Sequence, residues 1–280
     1  MKDVAFYDKE VSDIQENKLN FSYLVFDGGI SVSLFSIENN KYHNFIFKTR
    51  QEKSHIQLLN EINKQENFNK KKFNKIIVQF ASNQTTIIPE SFFNEESYTD
   101  LFHFNFLEDK NKNIKFYHLN KEKLYVLFDI NKELLSYFDN NFNNYVLIPH
   151  AATFIQTNLK KAIVHEDEFS DKIFIQIFND FFDIMYVKDK ALKFYNTFSY
   201  NSSNDILYYI LNVFEQLKIN QEKTEVILSG LIKKDSATVL NLKKFIKFVN
   251  FETLSKDFKY YYKFQDNPEH YFSNFFNVNK

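Results

Sequence analysis

The chain has 280 residues and a formal net charge of −1, with 44% hydrophobic and 25% charged residues. This composition is typical of a folded globular protein and argues against extensive disorder. A chain of this length can form two domains of ordinary size. The near-neutral charge provides no basic surface for a phosphate backbone, so we expect no nucleic-acid partner.

The absence of cysteine excludes disulfides and thiolate metal sites, and it fits a reducing compartment. The N-terminal residues carry charges throughout, and no apolar run approaches the roughly 18 residues of a membrane span. We therefore expect a cytoplasmic protein without a membrane span. The sequence has 35 Phe and 17 Tyr but 3 Gly and 3 Pro, a balance that AT-rich codons supply, which favours genome composition over an aromatic binding function.

The first part of the chain predicts three strands, a helix and a further strand. The strands at 21–27, 30–37 and 42–48 are rich in Phe, Val and Ile and are separated by turn residues. Apolar residues at helical spacing predict a helix within 52–67. The sequence KIIVQFAS at 75–82 predicts a buried strand.

An aromatic insertion is expected around 87–120, and its first part, 87–107, predicts no regular element. Strands and a helix follow, and a helix with an apolar face then runs on from Pro149. The predicted elements are strands at 116–118, 123–129 and 145–148 and helices at 131–140 and 150–164. The charged sequence HEDEFSD, at 165–171, is interpreted as a link between domains.

The second part of the chain repeats the order of the first. Each predicted element follows its counterpart by about 150 residues, which favours duplication over chance. We therefore predict an α/β protein of two related domains, residues 1–148 and 149–280, each with a strand-strand-strand-helix-strand core. The repeated elements are strands at 173–178, 182–188 and 191–198, a helix at 203–217 and a strand at 224–230.

This repeated unit resembles the actin-like ATPase fold, which actin, sugar kinases and Hsp70 share. The chain is similar to a family of uncharacterised bacterial proteins with that fold, and more distantly to the actin-like proteins of pilus assembly and cell division. The resemblance covers residues 20–275. The strings that carry it are VFDGGIS at 25–31, LIPHAATFIQTNL at 147–159, IQIFNDFFDIMYV at 175–187 and VILSGLI at 226–232.

The resemblance implies a nucleotide site made from two hairpin turns and one glycine-rich turn that follows a strand. Glycine suits such turns because a Cβ atom would hold the backbone away from the phosphates. The first turn fits this template, since an acidic residue is followed by two glycines. The third fits in part, since a serine and a glycine are followed by leucine. The residues are Asp27, Gly28 and Gly29 in the first turn and Ser229 and Gly230 in the third.

The second hairpin turn departs from the template. Asn179 and Asp180 are followed by two phenylalanines where small residues should face the phosphates, and the carboxylate adds negative charge beside a triphosphate. The nucleotide site is therefore expected to be degenerate. An ordinary tight hairpin turn explains Asp27-Gly28-Gly29 equally well, so both explanations of these glycines stay open.

Two functions follow as hypotheses. The first is a non-catalytic interaction or assembly module with no cofactor, metal or catalytic residue, which binds an unidentified protein through the insertion at 87–107 and could form a homodimer. The alternative is a nucleotide-binding protein or weak ATPase or kinase that uses Mg-ATP. Its candidate residues are Asp27, Gly28, Gly29, Asn179, Asp180, Ser229 and Gly230. Fold alone supports neither activity.

Overall fold

The computed structural model describes residues 2–66, 71–164, 169 and 171–279. The chain forms two compact units. Unit 1 contains the chain up to Ala152 with Ser255–Asn267 and the residues from Phe275 onward, and unit 2 contains Thr153–Leu254 with Pro268–Asn274. The link predicted at 165–171 lies outside the described residues except for two positions.

Groups of consecutive strands are separated by helices. In chain order they are β1 (Val4–Phe6), β2 (Leu19–Phe26), β3 (Gly29–Ser36), β4 (Lys41–Thr49), α1 (His55–Glu66), β5 (Lys75–Phe80), β6 (Thr85–Pro89), α2 (Tyr98–His103), β7 (Lys112–Leu119), β8 (Leu124–Asn131), α3 (Lys132–Asn141), β9 (Val146–Pro149) and α4 (His150–Val164). They continue with β10 (Asp171–Ile177), β11 (Phe181–Lys188), β12 (Ala191–Ser199), α5 (Ser203–Gln216), β13 (Glu225–Gly230), α6 (Ala237–Phe245), β14 (Phe248–Phe251), β15 (Lys259–Tyr260) and α7 (Ser273–Phe276).

Unit 1 is built on a mixed sheet with strand order β1-β4-β3-β2-β5-β9, and β15 joins it beside β4. The strands β2, β3 and β4 form an antiparallel meander, and β5 lies parallel to β2. One face of the sheet packs against α1 and α3 through apolar residues, including the buried Leu59 and Phe138. The predicted meander, helix and buried strand of the first part of the chain are confirmed.

A separate sheet with order β6-β8-β7 lies within the insertion of unit 1. The expectation that 87–107 contains no regular element is wrong, because β6 and α2 both fall in or overlap this stretch. The strand β6 has no recognisable local pattern in the sequence. Its partner β8 lies about 40 residues later, and a strand stabilised by such long-range pairing need not show a local periodicity. Aromatic rings then cover this sheet, as where Phe93 stacks on Tyr125 with ring centroids 3.6 Å apart.

The C-terminal aromatic residues of unit 1 pack on the sheet face opposite α1. The Phe276 ring lies 5.4 Å from that of Phe45 and 5.1 Å from that of Phe264, all centroid to centroid. The hydroxyl of the fully buried Tyr42 donates to the backbone carbonyl of Phe276. These rings therefore act as core residues that close one face of the sheet.

Unit 2 repeats the plan with strand order β12-β11-β10-β13-β14. The strands β10, β11 and β12 form an antiparallel meander, and β13 lies parallel to β10. The helices α5 and α6 cover one face through apolar residues, including Ile210, Phe214 and Leu242. A capping box formed by Ser202 and Asp205 fixes the start of α5. The duplicated strand-strand-strand-helix-strand core is therefore confirmed, and so is the α/β class.

The helix α6 is capped by Ser236, whose hydroxyl accepts from the Val239 N–H. Among the described residues, the helices are too short or too polar to cross a bilayer.

Replacing Phe276 with alanine is expected to destabilise unit 1 by about 3–5 kcal/mol, because the ring is buried among other rings and its loss leaves a cavity. Native-state hydrogen exchange of the β4 amides measures this, since it reports on unit 1 alone. Tyr262→Ala is the matched control, because that ring is mostly exposed. Equal effects of the two substitutions would contradict the packing role of Phe276.

Candidate functional site

The first candidate turn joins β2 to β3 in unit 1 and carries Asp27 at its exposed tip. An ion pair holds this carboxylate: Nη2 of Arg50 lies 2.8 Å from Oδ1 of Asp27. The backbone N–H of Arg50 also donates to the Gly28 carbonyl at 2.9 Å. Arg50 is the only arginine in the chain, and sequence reasoning did not place it at this turn.

The position of Arg50 follows from strand register. Gly29 pairs with Thr49 across β3 and β4, so the next residue of β4 lies beside Gly28. An arginine directly after the third strand of a meander was the signal available in the sequence. It could be used only with the exact register, because a shift of one residue would direct the side chain to the other face.

Close backbone packing explains Gly29. A Cβ atom at this position would lie 2.2 Å from the backbone oxygen of Lys48 on β4, far inside van der Waals contact. Only glycine fits where the two strands approach this closely. Gly29 is therefore required by the hairpin itself, whether or not a ligand binds at the turn.

A half-buried histidine supports the same turn from α1. Nε2 of His55 lies 2.8 Å from the backbone oxygen of Phe26, and because a carbonyl only accepts, this nitrogen carries the proton. Burial lowers the pKa of His55, and the nearby Arg50 guanidinium lowers it further, while the Phe26 carbonyl and Asp27 act in the opposite direction. The ring is therefore neutral at pH 7 and fixes the end of β2 by a hydrogen bond.

The second candidate turn joins β10 to β11 in unit 2. The backbone N–H of Phe178 donates to the Phe181 carbonyl at 2.9 Å, which leaves Asn179 and Asp180 as a two-residue loop. The expectation that two phenylalanine rings stand at the phosphate-facing side of this turn needs correction. Phe181 and Phe182 are both fully buried, the first stacked on the Phe178 ring at 4.5 Å and the second in the core beneath α5.

Tyr200 ties this loop to the end of β12. Its backbone N–H donates to the Asp180 carbonyl at 3.0 Å, and its hydroxyl donates to the Phe178 carbonyl at 2.5 Å. Burial and the Asp180 charge raise the pKa of Tyr200 to about 12, so the hydroxyl keeps its proton and remains a donor. The Asn179 side chain is exposed at the tip of the loop.

The third candidate turn follows β13 and is occupied by contacts within unit 2. The Ser229 hydroxyl donates to the Ile175 carbonyl at 3.0 Å and accepts from Nδ2 of Asn274 at 2.9 Å. Gly230 has a φ of +85°, and a Cβ atom there would lie 2.1 Å from the Ile177 oxygen. The turn therefore needs glycine for its own geometry and for the approach of β10.

The structure groups the seven predicted residues in two sets, one in each unit. Unit 1 places Asp27, Gly28 and Gly29 in one turn. In unit 2, Gly230 pairs with Ile177 in the parallel ladder of β10 and β13, so the loop after β10 and the turn after β13 lie at the same edge of the sheet. The four unit 2 candidates are thus neighbours, as the carboxyl ends of parallel strands must be.

One cluster within the described residues has the donor types of a metal site. Ligand atoms of Asp8, Glu10 and His43 lie within 4.8 Å of one another. The ammonium of Lys41 already lies 2.9 Å from Oδ2 of Asp8 and 2.7 Å from Oε2 of Glu10. A lysine in that position supplies the positive charge that a metal ion would bring, so the arrangement fits an ion-pair network that anchors the N-terminal segment.

The insertion of unit 1 exposes large apolar side chains. Phe104 and Leu107 are each 90% exposed, and Phe92 is 73% exposed. Of these three, Leu107 lines a cavity of about 560 Å³, together with Tyr98, Phe102 and Ile114. We call the three exposed side chains the insertion surface. Large apolar side chains exposed on one segment are a candidate for a surface that binds another molecule.

Comparison with known proteins identifies the family. The model of DUF3822, described as a protein of unknown function, matches residues 8–249. The chain belongs to this family. No match was found among curated proteins.

Two solved structures establish the fold of this DUF3822 protein. A Bacteroides thetaiotaomicron protein with an actin-like ATPase fold and unknown function is 24% identical, with a TM-score of 0.78 over 85% of this chain and 91% of that chain. A chain of the PilM–PilN type IV pilus biogenesis complex is 8% identical, with a TM-score of 0.56 over 92% of this chain and 97% of that chain. The actin-like ATPase fold implied by the sequence resemblance is confirmed.

Gly230→Ala is expected to destabilise unit 2 by about 3 kcal/mol or more, because the strain of positive φ adds to the clash with the Ile177 carbonyl. Gly28→Ala should cost less than about 1 kcal/mol, since its φ is not in the left-handed region. Hydrogen exchange of the β13 and β2 amides, respectively, measures the two changes. A mild effect of Gly230→Ala would show that the turn does not need glycine for folding.

Proposed function

We propose that this DUF3822 protein is a non-catalytic interaction or assembly module of the cytoplasm. In this proposal, the candidate nucleotide residues serve the fold, and the insertion surface of unit 1 binds a protein partner. The observation that carries the proposal is the exposure of Phe92, Phe104 and Leu107 on one short segment. Other exposed rings, such as Tyr208, Phe245 and Tyr262, each lie on a different element, and many of the largest aromatic side chains are fully buried.

The ion pair of Asp27 supports loss of nucleotide chemistry. In the actin-like fold, an acidic residue at this position is expected to help place Mg²⁺. Here a guanidinium lies 2.8 Å from that carboxylate and would repel a divalent cation. Both partners are partly exposed, so the pair contributes less than about 1 kcal/mol to stability, and its effect is on charge and not on folding.

Contacts at the third turn and around two of the glycines support the same conclusion. The Ser229 hydroxyl is engaged on both sides, as donor and as acceptor, so a ligand would have to displace Asn274. The glycines at 29 and 230 are each explained by an adjacent backbone carbonyl. The structure therefore gives a packing reason for residues that the resemblance assigned to a ligand.

The solved structures add limited support for a partner. One similar chain comes from the PilM–PilN type IV pilus biogenesis complex, in which an actin-like protein is assembled with another protein. At 8% identity this likeness shows the fold alone. It makes an assembly role on this fold reasonable, and the insertion surface supplies the location.

The alternative is nucleotide binding with Mg-ATP at Asp27, Gly28, Gly29, Asn179, Asp180, Ser229 and Gly230. The exposure of the Asp27 and Asn179 side chains at the tips of their turns favours it, because both remain accessible to a ligand. Binding of Mg-ATP separates the two functions.

Thermal unfolding of the purified protein with millimolar Mg-ATP is expected to show no shift from the nucleotide-free melting temperature. A ligand at about 100 times its Kd would stabilise the folded state by about 2.7 kcal/mol, which raises the melting temperature by a few degrees. A shift of that size that Asp27→Ala abolishes and Asp13→Ala retains would overturn the proposal in favour of nucleotide binding.

The insertion surface is tested by affinity capture from an extract of the source organism. The double variant Phe104→Ser with Leu107→Ser is expected to lose at least about 90% of the captured partner, since central apolar contacts carry most interface energy. Leu240→Ser with Phe245→Ser, on exposed positions of α6, is the matched control and should retain capture. Capture that survives the insertion variant, or is lost equally with the control, would place the interface elsewhere.

A further inference from the structure

The strand β7 is a long edge strand of the insertion sheet. It is eight residues long, from Lys112 to Leu119, and among the described residues it pairs with β8 alone. Edge strands expose a row of unpaired backbone donors and acceptors, and proteins usually shorten or cover them. An exposed edge of this length therefore needs an explanation.

The hydrogen-bond pattern between β7 and β8 determines which backbone groups of β7 point away from β8. The N–H of Lys132 donates to the Asn111 carbonyl at 2.9 Å, one step before the register pair Lys112 and Asn131. In an antiparallel pair, residues that bond the partner strand alternate with residues that face away. The odd-numbered residues of β7 thus bond β8, and the even-numbered residues direct N–H and C=O outward.

Two contacts of the insertion confirm this assignment. The N–H of Lys112 donates outward to the Asp109 carbonyl at 3.0 Å, and the Tyr98 hydroxyl donates to the Ile114 carbonyl at 3.4 Å. Beyond these, the even-numbered residues Phe116 and His118 make no outward backbone hydrogen bond within the part of the chain that the structure describes. Because Tyr98 engages the Ile114 carbonyl, we call the N–H of Ile114 and the outward backbone groups of Phe116 and His118 the open edge.

The cavity of the insertion adjoins the open edge. Its apolar wall is made by Ile114 at the start of β7, Phe102 of α2 and Leu107. Charged residues of both signs also line it: Glu108, Asp109, Asp129, Lys110, Lys112 and Lys132. An extended chain that pairs with β7 would carry every second side chain on the face of these residues. One such side chain would lie at the cavity, so backbone pairing and side-chain selection would act together, as in strand addition.

The charges on β7 indicate which kind of peptide segment could pair with this strand. The strand carries Lys112, Lys115 and His118 and no acidic residue. Lys112 is paired with Asp129, and Nε2 of His118 lies 3.1 Å from the Glu90 carboxylate. No ion pair engages Lys115 among the described residues, so this ammonium favours a carboxylate on a neighbouring strand.

We propose that β7 binds an extended, acidic segment of a protein partner as a fourth strand of the insertion sheet, with one apolar side chain of that segment at the cavity. This rests on the proposed function, because it names the chemistry of the partner that the insertion surface binds. Backbone hydrogen bonds to the open edge hold the segment, and Lys115 selects its charge.

The test uses a synthetic ten-residue peptide of alternating Glu and Val, capped at both ends, at millimolar concentration. Amide exchange by NMR on the full chain is the readout. In the free protein, the open-edge amides are expected to exchange at least about tenfold faster than those of Asn113, Lys115 and Tyr117, which bond β8. The peptide should slow exchange of the open-edge amides and leave the others unchanged.

Two controls separate strand addition from nonspecific binding. Two peptides are N-methylated at alternate residues, one at the odd positions and one at the even positions. Only one of the two should lose binding, because only one set of peptide N–H groups faces β7. Lys115→Glu should weaken binding at least about tenfold and restore it for a peptide of alternating Lys and Val, whereas Lys121→Glu on the adjacent turn should not.

Absence of protection at the open edge, or equal effects of the two N-methylated peptides, overturns the proposal. Open-edge amides that are already protected in the free protein, with a mass that rises to a dimer with concentration, also overturn it, because a second copy then occupies β7. Partner capture through Phe104 and Leu107 is measured independently. Failure of the peptide test with capture intact therefore rejects the strand-addition mechanism alone, and failure of capture rejects the proposed function.

Discussion

The fold depends on one close approach of backbones in each unit. In unit 1 the β3 strand starts against the Lys48 carbonyl, and in unit 2 the end of β13 lies against the Ile177 carbonyl. A Cβ atom would come within 2.2 Å of an oxygen in either place, so both positions require glycine. With 3 glycines in 280 residues, the chain keeps two of them at these contacts. The pairing of β3 with β4 in unit 1 and of β10 with β13 in unit 2 can form in this register only if these approaches are allowed.

This packing constraint changes how the candidate nucleotide residues are understood. A glycine that the neighbouring strand requires is not evidence for a ligand, although the same conformation could hold a phosphate in a relative of the same fold. The acidic residue of the first turn is paired with the chain's only arginine, and the serine of the third turn bonds Ile175 and Asn274. Asp27 and Ser229 therefore each have a partner within their own unit. A fold that had lost its nucleotide chemistry would be expected to keep such contacts.

Aromatic packing differs between the two cores and the insertion of unit 1. Rings such as Tyr42, Phe138 and Phe276 are buried and close the sheet faces, so the high aromatic content serves the cores. The insertion differs, because Phe92 and Phe104 are exposed and the edge strand β7 pairs on one side only among the described residues. Exposed rings and unpaired backbone groups are each costly, and both are features that the proposed partner would cover.

Local periodicity in the sequence determined most of the elements, including the helix His150–Val164 and the strand Lys75–Phe80, because apolar spacing reports burial directly. It also located all three candidate turns, since glycine and polar residues interrupt the apolar runs. Only the tertiary structure decided the rest. The pairing of Arg50 with Asp27, the burial of Phe181 and Phe182 and the outward direction of the β7 backbone all depend on strand register, which is set by contacts between residues far apart in the chain.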